Sequence, residues 1–224
     1  MTASSTIAEL RSSLTHACHQ LAAAGLFSGT SGNLSARSGE LVALTATGAV
    51  LGDITEDQIT ITTLDGAIVD GELVPTSEAP LHLGVYRIAL PELVGAVVHT
   101  HSMMATAVGV VLDELPVLHY AQLTLGGALR VAPFHPFGST ELAATVGSAL
   151  DGRLAALMAN HGAVALGANL AKAVENALLT EWLCELHLRA HSLGEPRQLS
   201  ADQQRAVIAA ATASGYGTTR RVQP

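Results

Sequence analysis

The chain has 224 residues, enough for one sizeable core, and no Pro-, Gly- or Ser-rich stretch divides it, so one domain over residues 1–224 is expected. Eleven Lys and Arg against nineteen Asp and Glu give a formal charge of −8 without any run of like charge, which excludes the electrostatic footprint of a nucleic-acid binder. No segment approaches the roughly 20 uninterrupted apolar residues of a membrane helix, and no basic segment leads into an apolar run at the N-terminus, so a cytoplasmic protein with no membrane partner is expected.

Taken in chain order, Ile7, Leu10, Leu14, Cys18, Leu21 and Ala22 recur at helical spacing until Gly25 stops them. A Gly-rich turn from Gly29 leads into a strand through Arg37, and Ser38-Gly39-Glu40 turns it back into Leu41–Thr45. A second hairpin is expected from Ile59–Thr62 and Ala67–Val69 around Asp65-Gly66. Ser77 is placed to cap a helix through Ala89, with Glu78 in its first turn and Pro80 tolerated early. A strand over Val94–His99 and a helix over Met103–Val111 follow, then a short strand at Leu129–Ala132. Ser139 or Thr140 caps a helix ending near Leu150, and strands at 154–159 and 163–166 flank the turn Asn160-His161-Gly162. A long helix spans Leu170–Leu193, stopped by Gly194 and Pro196, and Ser200 with Gln203 forms a capping box for a last helix to Ala213.

Hairpins mixed with helices, without regular strand–helix–strand alternation, predict an α/β layered domain whose central, largely antiparallel sheet is flanked by helices. Hydrophobic residues make up 49% of the chain and charged residues 13%, more apolar matter than a monomer surface accommodates, which points to burial in an oligomer. Cys18 and Cys184 stand apart in helix-like segments and read as buried thiols in a reducing compartment.

The chemistry concentrates at His99-Thr-His101, which closes the apolar run that begins at Gly95. Residues two apart share one face of a strand, so two imidazoles stand side by side there. With a third donor they make a nitrogen site for zinc or a neighbouring divalent metal such as cobalt or manganese. His161, after another apolar run, is the third candidate ligand, and Glu78 is the candidate carboxylate. Singly, each piece has an ordinary reading: a solvated or core-satisfied His pair, and a turn announced by Asn and Gly. Their joint occurrence carries the argument.

Thr30 and Asn33 lie in one Gly-rich turn, Thr47 and Gly48 in another, and Thr76 and Ser77 at a helix N-terminus. Hydroxyl, amide and backbone donors from these turns can converge on one anion without a basic residue. His82 follows Glu78 by four residues, on the same helix face, where it would orient the carboxylate or its water. His187 and His191 also have i, i+4 spacing but no carboxylate between them in a zincin-like pattern. His16, His19, His119 and His135 have no context that separates them from packing or solvation.

Gly29-Thr-Ser-Gly-Asn-Leu-Ser, Thr45-Ala-Thr-Gly, Pro75-Thr-Ser-Glu, Ala96-Val-Val-His-Thr-His and Asn160-His-Gly occur in an order that resembles the class II aldolase/adducin family over essentially the whole chain. The resemblance implies His99, His101 and His161 as zinc ligands, Glu78 as acid/base and ligand in the absence of substrate, and Thr30, Asn33, Thr47, Gly48, Thr76 and Ser77 as phosphate contacts. Thr76 departs from the commoner serine, keeping the hydroxyl and adding a methyl group. It further implies Tyr120 as a proton donor contributed from a neighbouring subunit, Tyr216 near the same end of the substrate, and a cyclic homotetramer. The implied activity is reversible cleavage of a ketose 1-phosphate, either L-fuculose 1-phosphate or a 5-deoxypentulose 1-phosphate, to dihydroxyacetone phosphate and a small aldehyde. A methylthioribulose-1-phosphate dehydratase and a phosphorylated sugar-acid decarboxylase resemble the same motif set. A sugar-phosphate 4-epimerase fits less well, because aspartate is expected where Glu78 stands. A non-enzymatic adducin-like module also fits less well, since the three histidines and the glutamate are all present.

Overall fold

The computed structural model of the chain describes residues 3–90 and 92–214. Helix α1 (Ala3–Ala23) leads into the hairpin β1 (Asn33–Ser38) and β2 (Leu41–Thr45), followed by β3 (Ile59–Thr63) and β4 (Ile68–Asp70). Helix α2 (Ala79–Ile88), strand β5 (Ala96–Thr100) and helix α3 (Met103–Val111) come next. Then follow β6 (Glu114–Leu115), β7 (Leu129–Ala132), α4 (Thr140–Ala149), β8 (Ala155–Met158), β9 (Gly162–Gly167), α5 (Leu170–Leu193) and α6 (Ala201–Ser214). The strands form one nine-stranded sheet in the order β4-β3-β2-β1-β5-β9-β8-β7-β6. Every neighbouring pair is antiparallel except β7 with β8, which agrees with the largely antiparallel α/β layer read from the sequence.

Helices cover both faces, so the central strands are enclosed and largely apolar: every residue of β5, β8 and β9 is buried, His99 and Thr100 at the end of β5 included. On one face Leu34, Ala96, Val98, Leu157 and Ala165 pack with Leu14, Leu21 of α1 and Ala173, Leu183 of α5. On the other, Val42, Val97, Ala156 and Val164 pack with Leu81, Val85 of α2 and Leu142, Val146 of α4. The period of two in a strand sets which face each side chain joins. Val97 faces α2 and α4, so His99 two residues on lies on that side as well.

The capping signals hold in detail. Ser139 Oγ rather than Thr140 accepts from Leu142 N at 3.1 Å, Ser200 with Gln203 makes the reciprocal capping box, and Asn169, a cap not read from the sequence, accepts at Oδ1 from Lys172 N at 2.9 Å. Helix α2 is the exception. Ser77 does not cap it; Glu78 occupies the N-cap position, its side chain makes no capping bond, and Thr76 Oγ1 accepts the Glu78 N–H at 3.2 Å instead. The carboxylate is drawn elsewhere, toward the histidines. The sequence also gave no sign of β6 or of the 3-10 turns at Glu56–Gln58 and Tyr120–Leu125, which are too short to show periodicity.

The β8–β9 connection turns on Asn160, at φ +56, a conformation that Asn tolerates. Gly162 begins β9 with its α-carbon against β5: a Cβ there would stand 2.0 Å from the Thr100 carbonyl oxygen, a backbone atom that cannot rotate away. Gly162→Ala should therefore cost about 3 kcal/mol by overpacking and move His161 away from His99. Thermal or denaturant unfolding of the variant beside the wild type checks this, and an unchanged midpoint would show that β5 and β9 separate freely.

Candidate active site

Two neighbouring strands deliver the histidines. His99 and His101 come from the end of β5 and the residue just beyond it, and His161 from the turn into β9, the neighbouring strand. Their ring centroids lie 4.6–4.9 Å apart, at interplanar angles of 61–81°. Glu78 reaches in from the start of α2, its Oε2 3.0 Å from His99 Nε2 and its Oε1 3.6 Å from His161 Nε2. One ligand atom from each of these four residues falls within 4.8 Å of the others, the one such group among the described residues.

The donor set fits a cation. His99 Nδ1 stands 3.0 Å from the Ala163 carbonyl, to which it donates its N–H, so Nε2 is the ring nitrogen turned inward and available to a cation. That atom lies 3.0 Å from both His101 Nε2 and Glu78 Oε2. One shared proton satisfies only part of this contact, whereas a divalent ion satisfies nitrogen and oxygen lone pairs together. Glu78 Oε1 is buried and has no hydrogen-bond partner. Burial, reinforced by the adjacent His99, holds His101 and His161 down to about 4, which keeps both rings neutral and able to ligate. For Glu78, burial pushes the carboxyl up, but the facing His99, the Asn33 hydrogen bond and His161 outweigh it and leave the group well below the usual carboxylate range.

Behind Glu78 runs a buried polar ladder. Residues 78, 82 and 86 recur at i, i+4 on α2, and residues 33 and 35 share one face of β1. They interlock: Asn33 Nδ2 donates to Glu78 Oε2 at 2.9 Å, and His82 Nε2 lies 2.5 Å from Asn33 Oδ1. Ser35 Oγ lies 2.7 Å from His82 Nδ1 and 2.8 Å from the Tyr86 hydroxyl. His82 thus reaches Glu78 through Asn33 rather than directly. Complete burial, then His99, holds its imidazole down to about 3, and burial pushes the Tyr86 phenol up.

The cluster floors a cleft of about 540 Å³. Thr30, Asn33, Thr47, Gly48, Thr76 and Ser77 all line it, beside Glu78, His101 and His161. The last two turns are tied together: Thr47 N donates to Val74 O at 3.0 Å and Thr76 N to Thr45 O at 2.9 Å. Asn33 is more committed than an anion contact requires, since its amide oxygen and one amide hydrogen already go to His82 and Glu78. The opposite wall is Phe134, His135 and Phe137, none singled out from the sequence. Their signal was an aromatic run framed by Pro133, Pro136 and Gly138 just after a strand. Ser35 and Tyr86 were also missed; one is an ordinary strand residue and the other reads as core.

Tyr120 is not brought to the cleft within this chain. It opens a 3-10 turn against the His119 ring, 4.4 Å between centroids, and is 43% exposed. Tyr216 lies outside the described residues. His187 and His191 pair at 4.3 Å on α5, away from the four-residue group. A larger cleft of about 840 Å³, lined by Glu9, His16 and Arg37, gathers no such ligand set among the described residues. No helix among the described residues is long and apolar enough to cross a membrane.

The chain resembles several characterised proteins over most of its length. It is 34% identical to a 5-deoxy-D-ribulose 1-phosphate aldolase of Bacillus thuringiensis over 200 residues, 88% of this chain and 92% of that one. It is equally 34% identical to a 5-methylthioribulose-1-phosphate/5-deoxyribulose-1-phosphate aldolase of Rhodospirillum rubrum, over 89% of each chain. A solved L-fuculose 1-phosphate aldolase superposes with a TM-score of 0.86 at 30% identity, covering 91% of this chain and 96% of its own. The profile of the family described as class II aldolase and adducin N-terminal domain matches residues 12–188, and with that match the chain belongs to the class II aldolase and adducin family.

Proposed function

We propose that the protein is a divalent-metal-dependent aldolase, with zinc as the metal, that reversibly cleaves a ketose 1-phosphate to dihydroxyacetone phosphate and a small aldehyde. The observation that carries this reading is the Glu78 carboxylate held among three inward-facing imidazoles, with one oxygen unpartnered, at the floor of a cleft walled by hydroxyls. L-fuculose 1-phosphate and 5-deoxypentulose 1-phosphates are the substrates favoured by the relatives' names.

His99, His101 and His161, with Glu78 before substrate arrives, would hold the metal, which when bound supplies a Lewis acid toward the substrate's carbonyl and neighbouring hydroxyl oxygens. Thr30, Thr47, Gly48, Thr76 and Ser77, with the remaining Asn33 amide hydrogen, hold the phosphate at the cleft wall. In cleavage the C3–C4 bond breaks, the C4 hydroxyl gives up its proton as the aldehyde forms, and C3 takes a proton from the Glu78 carboxyl. In synthesis Glu78 removes that proton again. In synthesis the hydroxyl of Tyr120 of a neighbouring subunit in a cytoplasmic homotetramer donates its proton to the aldehyde oxygen, which becomes the C4 hydroxyl, and solvent carries the proton taken up by Glu78 back to the phenolate. Cleavage runs the same transfers in reverse, with Tyr216 at the same end of the substrate. The exposure of Tyr120 and the apolar surplus support that assembly, and the buried free thiols of Cys18 and Cys184 support the reducing compartment.

The test is a panel of ketose 1-phosphates given to protein reconstituted with zinc, cobalt or manganese, following dihydroxyacetone phosphate, water loss and carbon dioxide. Metal-dependent release of dihydroxyacetone phosphate is the expected result. Its absence with every substrate, or a product formed by dehydration or decarboxylation instead, overturns the aldolase reading.

A further inference from the structure

The hydrogen bonds behind Glu78 all point one way. An ionised carboxylate only accepts, so the Asn33 amide must present Nδ2 to Glu78 Oε2 and Oδ1 to His82. Asn33 Oδ1 also only accepts, so His82 Nε2 carries the ring proton. A buried neutral imidazole then has a bare Nδ1, which takes the Ser35 hydroxyl hydrogen, and Ser35 Oγ in turn accepts from the Tyr86 hydroxyl. Donation therefore runs Tyr86 to Ser35 to His82 to Asn33 to Glu78, with Ser35, His82 and Tyr86 all at 2% exposure or less.

We propose that His82 is a positioning residue: held in its Nε2–H tautomer between Asn33 and Ser35, it fixes the Asn33 amide, and through it holds Glu78 Oε2 in place and leaves Oε1 as the oxygen presented toward the cleft. Two observations support the division of labour between the oxygens. Oε2 is held by Asn33 and faces His99, whereas Oε1 is buried without a partner and borders the cleft side, toward His161. Bonds aligned in one direction polarise each other in a low-dielectric interior, which stiffens the last link. This deepens the proposed function and rests on it for the role of Glu78. The tautomer itself does not depend on that reading.

The test joins nitrogen-15 NMR of the imidazoles with solvent-deuterium exchange into dihydroxyacetone phosphate by the metal-loaded protein. Wild-type His82 is expected to show a protonated Nε2 and a bare Nδ1. His82→Asn removes the donor at the Nε2 place and should lower the turnover of exchange by about 10- to 100-fold with bound metal retained. KM for dihydroxyacetone phosphate should move by less than about threefold. His82→Gln, whose amide nitrogen reaches the same place, should recover most of the loss, which a merely structural defect would not. Where His82→Asn fails to fold, Ser35→Ala leaves the ring in place but removes the hydroxyl that holds its Nδ1, with an expected loss of roughly three- to tenfold. Exchange at the wild-type rate in His82→Asn or Ser35→Ala, or a proton on Nδ1 in the wild type, overturns the proposal. Wild-type protein that exchanges nothing sinks the aldolase reading and leaves the tautomer to decide the relay.

Discussion

Glu78→Gln should lower turnover by about 10²- to 10⁴-fold while the protein folds and still binds metal through its histidines. Glutamine matches glutamate in volume, and its oxygen can take the place of Oε2, accepting the Asn33 N–H that now lies 2.9 Å away. Its NH₂ then falls at the place of Oε1, where the carboxylate has no partner. The fold should therefore be undisturbed, and what disappears is the atom that the proposed mechanism uses to accept and return a proton at carbon. Two measurements separate the consequences. Exchange of solvent deuterium into dihydroxyacetone phosphate should fall at least as far as cleavage, because exchange isolates the proton step from bond breaking. Metal content should stay near one per chain, with weaker affinity from the lost oxygen ligand. Activity within about threefold of wild type would remove Glu78 from the proton step and leave it only as a ligand.

Most of the fold was readable because its elements announce themselves locally. The long α5 has Gly194 and Pro196 after it, and the hairpin turns carry Gly39 and Gly66 where positive φ is needed. The grouping of the three histidines was readable for another reason: a His-x-His at the end of a buried strand and a His-Gly at the start of its neighbour become adjacent once β5 pairs with β9, where His99 lies opposite Val164. What the sequence hid depends on contacts between distant elements. Ser35 and Tyr86 are 51 positions apart and meet only because β1 packs beneath α2. Ser77 looked like a better cap than Glu78 on propensity alone, yet the helix starts on Glu78 because its carboxylate is engaged by Asn33 and faces His99. The short β6 and the turn bearing Tyr120 contain too few residues for periodicity to register.

Stripping the metal with a chelator should lower the melting temperature by about 8–16 °C, and His99→Ala should abolish that shift. A ligand that binds only the folded chain stabilises it by about 4 kcal/mol when free at a thousand times its dissociation constant. For a chain of this length each kcal/mol moves the midpoint by roughly 2–4 °C. His99 is the residue to remove because it is the anchor of the group: fully buried, with Nδ1 on the Ala163 carbonyl and Nε2 facing both His101 and Glu78. Truncating it deletes a ligand, leaves that carbonyl without its donor and opens a void, which together add about 2–4 kcal/mol of destabilisation even without metal. His99→Ala should then melt at or below the chelated wild type, with the same midpoint whether or not chelator is present. His187→Ala is the control. Its ring is buried on α5 with Nδ1 unpartnered and pairs with His191, but it stands outside the four-residue group. That variant should keep one metal per chain and the full chelator shift. The reverse pattern, with His99→Ala retaining stoichiometric metal and His187→Ala losing it, would move the metal centre to α5 and leave the cluster around Glu78 as a hydrogen-bonded core.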